Sequence, residues 1–274
     1  MDLNTLTGTP AWEWPDGTDD FLLDVLLSSA ASADDRLVAA ELAGDYVVVN
    51  DHIARALLGI AANRSAEEDL RCTAAISLGP ALEDADSLDD EMPDETVISE
   101  EVFAELRRGL RKIYMDADSP DKLRRSVLEA AVRAPEDWHR EAVRGAYHQG
   151  NSDWRLTAVF CMRFVDAFED EVVEALGSED VRVLREAILA AGNKGIEAAW
   201  PVVENLLVAP SVDRSLRLAA IEACPGIRAG AAFPILARLE AADDEEIADA
   251  AQEALAIYAG GELLTDVDFG NGSL

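Results

Sequence analysis

The fold is decided by residues 178–210, which run S-E-D-V-R-V-L-R-E-A-I-L-A-A-G-N-K-G-I-E-A-A-W-P-V-V-E-N-L-L-V-A-P. Ser178 opens this stretch with a residue type that caps helices, and two acids follow it in the predicted first turn. Gly192 and Gly195 are predicted to end a helix whose apolar residues recur at helical spacing. Those residues are Val181, Leu184, Ile188 and Ala191.

A second helix with a wide apolar face follows, and Pro210 closes it. Trp200 precedes Pro201 and marks a kink or a helix start. The apolar face comprises Ala198, Ala199, Val202, Val203, Leu206 and Leu207. A hairpin of two helices cannot bury this much apolar surface alone, so we expect neighbouring hairpins on both sides.

The chain supplies those neighbours as a repeat. An arginine followed by apolar or small residues at helical spacing recurs at positions 36, 71, 124, 155, 185 and 217, and position 248 keeps the pattern without arginine. The successive gaps are 35, 53, 31, 30, 32 and 31 residues, which indicates a repeat of roughly 31 residues with one insertion. We interpret the repeat arginines as structural groups that anchor successive helices through carbonyls or neighbouring acids.

The repeated D-x-x-[VL]-R-x-x-A-x-x-[AL]-G pattern resembles the short HEAT-like repeats of phycobilisome lyases over about residues 32–258. The resemblance implies an all-α fold, a right-handed α-α superhelix of the HEAT and armadillo solenoid type with about six helical-hairpin repeats and capping helices. This family includes bilin lyases and chaperones, a group of DNA glycosylases, and a bacterial branch of scaffolds. Because no catalytic residue of the family lies in the motif, none is transferred to this chain.

We expect a single solenoid domain over residues 1–274, and its predicted parts follow the repeat. They are an N-terminal cap at 1–31, repeats at 32–242 with an acidic insertion at 83–98, a capping helix at 243–260, and a flexible tail at 261–274. Within these parts we predict that Trp12 and Trp14 fold over the end of the solenoid, and that Ser65 and Glu68 form a capping box. Pro225-Gly226 is predicted to turn the sixth repeat, and Gly260-Gly261 to end the last helix.

The composition restricts the possible partners. The chain has 55 acids against 23 bases, a net charge of −32, and this field repels phosphate backbones. We therefore expect no nucleic-acid binding, which excludes the glycosylase reading of the family. Two explanations of the acidity stay open: a solubilising surface, suited to a salty or GC-rich organism, or an acidic face for a basic partner.

Neither targeting nor metal chemistry has a clear sequence signal. No long uncharged apolar run and no leader-like start is present, so we expect a cytoplasmic protein without a membrane span. Cys72, Cys161 and Cys224 lack metal-ligand spacing and fit reduced core thiols. The acidic insertion fails the EF-hand pattern because Leu88 stands at a ligand position, so no metal and no cofactor is predicted.

A basic island follows the acidic insertion. The segment 107–125 carries seven bases, Arg107, Arg108, Arg111, Lys112, Lys122, Arg124 and Arg125, against Asp116, Asp118 and Asp121. Our hypothesis is that the insertion folds back over this island; the alternative is a solvated helix face beside a mobile loop.

The third repeat holds the densest cluster of versatile side chains: Trp138, His139, Tyr147 and His148. His139 and His148 are nine residues apart, so they lie on opposite sides of one helix and cannot form a pair. Because second helices line the binding face of such solenoids, Trp138, His139 and Tyr147 are candidate groove residues, and core packing is the alternative.

The leading functional hypothesis is a non-enzymatic scaffold that presents a concave helical surface to a protein or peptide partner, possibly a basic one. Nucleophile, phosphate-loop and zinc motifs are absent, so no catalytic residue is predicted. The candidate binding residues are Trp138, His139, Tyr147, Arg107, Arg108, Arg111 and Lys112. The alternative is a bilin lyase or chaperone that acts on a tetrapyrrole-carrying partner.

Overall fold

The computed structural model describes residues 1–87 and 97–265, with side chains as far as Ile257. The described residues form helices joined by short turns, and they contain no β-strand. Contacts between Cα atoms divide the chain into two compact units, residues 1–142 and residues 143–274.

The first unit stacks its helices in two layers. Helices α3, α5 and α8 pack on one another in one layer, and α2, α4 and α7 pack in the other. The helices of this unit are α1 (Leu3–Thr7), α2 (Thr18–Leu27), α3 (Ala33–Leu42), α4 (Asp51–Ala62), α5 (Glu68–Ile76), α6 (Gly79–Ser87), α7 (Glu100–Met115) and α8 (Asp121–Ala131). Helix α9 (Asp137–His148) begins in this unit and ends in the next.

The second unit continues the same architecture. Helices α10, α12 and α14 pack in succession, α11 and α13 fill the spaces beside them, and α15 packs on α14. The bounds are α10 (Ser152–Cys161), α11 (Glu169–Ala175), α12 (Val181–Asn193), α13 (Trp200–Val208), α14 (Arg214–Leu239) and α15 (Glu245–Thr265). Successive helical hairpins that bury their apolar faces on one another confirm the predicted all-α solenoid class. A single domain over 1–274 stays a prediction.

Four of the six repeat arginines anchor successive helices through a carbonyl, as predicted. In four repeats the Nε–H of the arginine donates to a carbonyl in the last turn of the helix before it, ten or eleven residues back along the chain. The bonds run from Arg36 to Leu26 (3.2 Å), Arg71 to Ala61 (3.0 Å), Arg124 to Tyr114 (3.0 Å) and Arg217 to Leu206 (3.4 Å). Because the last carbonyls of a helix lack an intrahelical partner, each arginine satisfies a group that would otherwise be orphaned.

The deciding stretch forms the predicted hairpin, with corrections to its ends and its face. The N-cap of α12 is Asp180, whose Oδ1 accepts from the Arg182 N–H at 3.0 Å, and not Ser178. Val181 is 44% exposed, because the helix turns Val183 and not Val181 toward the core. Trp200 starts α13 with Pro201 in its first turn, as predicted.

Gly192 does not stop α12 but lies inside it. A Cβ at this position would approach the Cα of Ala223 to 2.5 Å, and a Cβ on Gly226 would meet the Gly192 carbonyl oxygen. The two glycines therefore allow the backbones of α12 and α14 to approach closely, and this close approach explains why glycine stands at both positions.

The sixth repeat turns at Arg228, whose φ of −158° and ψ of 66° interrupt α14, and not at Pro225-Gly226. Pro225 stays within the last turns of the preceding helix, where it cannot donate to the Ile221 carbonyl. The Cys224 thiol donates to that carbonyl instead, at 3.2 Å. This substitute donor lets the helix continue past the proline to Arg228.

Three further predictions were wrong: the capping box before α5, the end of the last helix, and the position of Trp12 in the N-terminal cap. Glu67, without a side-chain bond, is the N-cap of α5, so Ser65 and Glu68 do not form the capping box. Helix α15 continues through Gly260-Gly261 to Thr265, since glycine only weakens a helix interior. Trp14 is anchored by its Nε1–H to the carbonyls of Leu6 (3.1 Å) and Thr9 (3.0 Å), whereas Trp12 is 80% exposed and covers nothing.

The acidic insertion is described only in part. Its first residues belong to α6, where Glu83 pairs with Arg133, and Asp84 Oδ2 accepts from the Val97 N–H at 3.1 Å. Residues 88–96 lie outside the described residues, so the hypothesis that the insertion covers the basic island stays a prediction.

Candidate functional site

A groove in the second unit combines apolar and acidic side chains at the surface. It has a volume of about 440 Å³ and lies among α12, α14 and α15. Its apolar residues are Leu218, Ala250, Ala254 and Ile257, and its acids are Glu222, Glu246, Asp249 and Glu253. Arg185 completes the lining. We call this site the acidic groove.

The acidic groove follows from helical spacing on α15. Ala250, Ala254 and Ile257 recur every three or four residues, so they share one stripe of the helix. Asp249 and Glu253 form a parallel stripe beside it. Leu218 and Glu222 are four residues apart on α14 and form the opposite wall. The groove is thus an apolar floor between two acidic walls.

The apolar floor is open to solvent. Ile257 is 66% exposed, Leu218 and Ala250 are half-buried, and Ala254 is buried. An exposed branched aliphatic side chain beside other apolar groups marks a surface that can gain free energy by being covered.

The carboxylates of the acidic walls are not all neutralised by neighbouring cations. The lining carries four carboxylates and one guanidinium, a formal charge of −4 + 1 = −3. Glu246 pairs with Arg214, and Glu222 lies 3.8 Å from Arg163. Asp249 and Glu253 have no ion pair with any residue in the part of the chain that the structure describes.

Arg185 is held at the end of the groove by a buried acid. Its Nη1 donates to Glu186 Oε1 at 2.6 Å, and Glu186, 9% exposed, also lies 3.6 Å from Arg163. A buried carboxylate is tolerated only where cations compensate it, and two guanidinium groups do so here. Arg185 is therefore committed to Glu186 and does not neutralise the walls.

The first unit brings three of the predicted site residues together. Arg107 Nη2 lies 3.1 Å from Glu136 Oε1, and the Trp138 Nε1–H donates to the other carboxylate oxygen at 3.0 Å. The rings of Trp138 and His139 are in contact at an angle of 37°, with centroids 3.8 Å apart, and the centroid of the Tyr114 ring lies 5.2 Å from that of Trp138. These contacts make a packed cluster in which Arg107, Glu136 and Trp138 are each partly exposed.

His139 is fully buried and neutral. The Glu136 backbone N–H donates to Nδ1 at 2.8 Å, which places the ring proton on Nε2. The pKa of His139 is lowered to about 4, chiefly by burial and to a lesser extent by the positive charges of Arg107 and Arg111, against the opposing effect of Glu136. His148 on the same helix is exposed, in agreement with the predicted opposite faces.

The other predicted cations lie on the surface of the first unit. Arg108, Arg111 and Lys112 are exposed on α7. None of the three forms a hydrogen bond or an ion pair with a residue inside 1–87 or 97–257. They are therefore available charges in a chain that is otherwise strongly acidic.

Tyr147 belongs to the second unit and has different neighbours. Its hydroxyl accepts from Arg155 Nη2 at 2.9 Å and donates to the Glu171 carbonyl at 3.3 Å. The guanidinium carbon of Arg155 lies 4.8 Å from the centre of the ring, and burial raises the pKa of Tyr147. Tyr147 is 7% exposed, and its edge lines a small cavity of about 290 Å³ beside Ser152 and Ser178.

The acidic groove was missed from the sequence. The candidate residues were sought on second helices, whereas the groove is built by α12, α14 and α15, each the first helix of its repeat or cap. The sequence signal that could have indicated the groove was a pair of apolar residues, Leu218 on α14 and Ile257 on α15. Each falls outside the row of apolar residues that its helix buries in the core. In the sequence both residues resemble ordinary members of an amphipathic helix.

Metal sites and membrane-spanning helices are both absent from the described residues. No group of three or more His, Cys, Asp or Glu side chains is placed to hold a metal ion. No helix there is both long enough and apolar enough to cross a membrane.

No family model and no curated protein matches the chain. Among solved structures, the chain is similar to the X-ray structure of the Escherichia coli protein YibA, with a TM-score of 0.44 and 17% identity over 90% of this chain and 84% of that one. The assignment to the helical-repeat proteins accordingly rests on the packing of successive hairpins described above.

Proposed function

We propose that this protein is a non-enzymatic helical-repeat scaffold that binds a protein or peptide partner in the acidic groove. The proposal rests on one observation: in the acidic groove, exposed apolar groups, Ile257 above all, lie next to carboxylates that have no ion partner among the described residues. Both kinds of group are satisfied when a partner covers them, by burial of apolar area and by opposite charge.

The proposal is tested by photo-crosslinking in the organism's own cells. A photoreactive amino acid replaces Ile257 in the groove, and a matched variant carries it at Val208, which is 54% exposed on α13. We expect one defined protein crosslinked from position 257 and not from position 208. Equal labelling from both positions, or no labelled protein from 257, contradicts the proposal.

Charge reversal supplies the second arm of this test. In the Ile257-labelled chain, Asp249→Lys with Glu253→Lys is expected to abolish the crosslink. Glu204→Lys with Glu240→Lys reverses the same number of exposed acids in the second unit and is expected to leave it intact. Loss of the crosslink in both variants would show that the overall charge, and not the groove, holds the partner.

Arg107, Arg108, Arg111, Lys112 and Trp138 remain proposed contacts of a second surface, whereas His139, predicted from the sequence as a surface residue, is fully buried and is not one. The exposed cations Arg108, Arg111 and Lys112 support this part, because they carry free positive charge beside the Arg107, Trp138 and His139 cluster. Tyr147 is proposed separately, through the edge of its ring that lines the cavity beside Ser152 and Ser178 in the second unit. The bilin lyase or chaperone alternative rests on the resemblance of the repeat alone.

A further inference from the structure

The geometry of the acidic groove points to one kind of occupant: we propose that it binds a short amphipathic α-helix with leucine-like residues on one face and Lys or Arg along both flanks. This inference rests on the proposed function and specifies the partner's chemistry. Three features of the groove support the inference. They are the spacing of the apolar side chains on its floor, the lack of backbone groups free to hydrogen-bond a peptide, and the placement of its carboxylates.

The floor matches the side-chain spacing of a helix. Ala250, Ala254 and Ile257 extend over two turns of α15, which is about 10 Å along the axis. A second helix laid beside this stripe presents its own residues at i, i+3 or i+4, and i+7 in the same interval. Leu218 on the opposite wall contacts the other side of the same inserted row. The small Ala250 and Ala254 leave the room that larger partner side chains need.

An extended peptide fits the groove less well. A strand gains affinity by hydrogen bonding to an open sheet edge, and the described residues contain no sheet. The groove walls are helical turns of α14 before Arg228 and of α15, where most backbone N–H and C=O groups already bond within their helices. A helical partner needs no backbone bonds from the groove, because it satisfies its own.

The carboxylates define the flanks of the partner. Asp249 and Glu253 are four residues apart on one wall, and Glu222 stands on the other. A helix that inserts its apolar face between them places one flank beside Asp249 and Glu253, where cations are favoured most, and the other beside Glu222, which Arg163 compensates in part at 3.8 Å. Because Asp249 and Glu253 have no cationic partner in the described part of the chain, no existing pair of theirs there is broken on binding.

Two other occupants are opposed by charge. The chain's own residues 266–274, D-V-D-F-G-N-G-S-L, carry two acids and no base. A second copy of the chain carries a net charge of −32, and its exposed cations on α7 belong to a helix whose apolar residues, such as Leu106 and Leu110, are already buried. Both are repelled by a groove whose lining is already negative, whereas a basic helix is steered toward it.

The test uses synthetic peptides and the full chain. The probe is a fluorescent leucine-lysine peptide of about 18 residues with one apolar face. One control peptide has the same composition in an order that destroys the apolar face, and the other has glutamate in place of lysine. Fluorescence anisotropy gives the affinities, and circular dichroism reports whether the probe becomes helical on binding.

We expect the amphipathic basic peptide to bind as a helix, and both control peptides to bind weaker by on the order of tenfold or more. Asp249→Lys with Glu253→Lys, and separately Ile257→Ser, should each weaken binding by on the order of tenfold. Glu204→Lys with Glu240→Lys should leave the affinity within about twofold. All the substituted side chains are exposed, so the fold is kept.

Three outcomes overturn the inference. Equal binding of the scrambled peptide would show simple attraction between opposite charges. Equal weakening by the Glu204 and Glu240 variant would place binding outside the groove. Absence of peptide binding, together with a defined crosslink from position 257, would leave the scaffold function standing with a partner of other chemistry.

Discussion

At the residue scale, the arginine repeat has a precise chemical role. Arg71 is 7% exposed, and its Nε–H donates to the Ala61 carbonyl at 3.0 Å at the end of α4. The arginine therefore ties the end of one hairpin to the start of the next.

Arg71→Met is expected to destabilise the protein by about 1–3 kcal/mol, because the Ala61 carbonyl loses its donor while the apolar stem is retained. The measurement is the free energy of unfolding in urea. Arg64→Met is the control, since Arg64 is exposed and its pairs with Asp116 (2.5 Å) and Asp118 (3.5 Å) are surface pairs. That control is expected to cost less than about 1 kcal/mol. Equal costs for the two variants would refute a buried anchoring role.

His139 makes stability depend on pH in a defined direction. Its folded-state pKa of about 4 lies below the ordinary value of 6.5, so the unfolded chain takes up the proton first. This stability is present in full above pH 6.5 and is lost as pH falls toward 4. The maximum loss is roughly 3 kcal/mol, from the two pKa values.

His139→Asn removes this titration and keeps an oxygen where Nδ1 accepts from the Glu136 N–H. We expect its stability relative to the natural chain to improve as pH falls from about 6.5 to 4. His148→Asn on the exposed face of α9 serves as the control and should show no such trend. A parallel pH dependence of the natural chain and His139→Asn would sink the prediction.

At the element scale, close approach of helices decides which glycines matter. Gly192→Ala places a Cβ 2.5 Å from the Cα of Ala223, so α12 and α14 must separate. The strain outweighs the better helix propensity of alanine, which is worth about 1 kcal/mol.

We expect Gly192→Ala to destabilise by about 1–3 kcal/mol in thermal or urea unfolding. Gly59→Ala, inside α4, provides the comparison: no described atom lies within 4 Å of the added Cβ. That variant should instead stabilise by up to about 1 kcal/mol. Stabilisation by both substitutions would mean that the interface of α12 and α14 relaxes freely.

At the scale of the whole molecule, repulsion among acids dominates the electrostatics. The chain has 32 more acids than bases, and the recorded ion pairs are mostly exposed and individually weak. Screening by salt therefore weakens the repulsion among the acids more than it weakens the attraction within the ion pairs.

We expect the unfolding temperature to rise by several degrees between about 0.05 M and 1 M NaCl. Choline chloride at the same ionic strength should give most of this increase, because screening depends little on the identity of the cation. Sucrose at a matched osmolality tests for general solvent exclusion. A lower unfolding temperature in salt would show that the ion pairs outweigh the repulsion.

The all-α repeat, the positions of the hairpins and the structural use of the arginines follow from the sequence. These features depend on local periodicity, and a solenoid is built from contacts between neighbouring repeats, so nearby residues carry most of the information. The helix ends were less certain because caps compete: Asp180 was preferred over Ser178, and a thiol replaced the N–H that Pro225 lacks.

Only the tertiary structure decided which side chains form a site. The sequence cannot show that Leu218 on α14 and Ile257 on α15 meet beside Glu222 and Glu253, because they come together through the angle at which two helices pack. The same holds for His139, which is a versatile side chain in the sequence and a fully buried neutral ring in the fold. Local pattern determines which residues are helical, but burial and pairing across helices determine which of them remain free to bind.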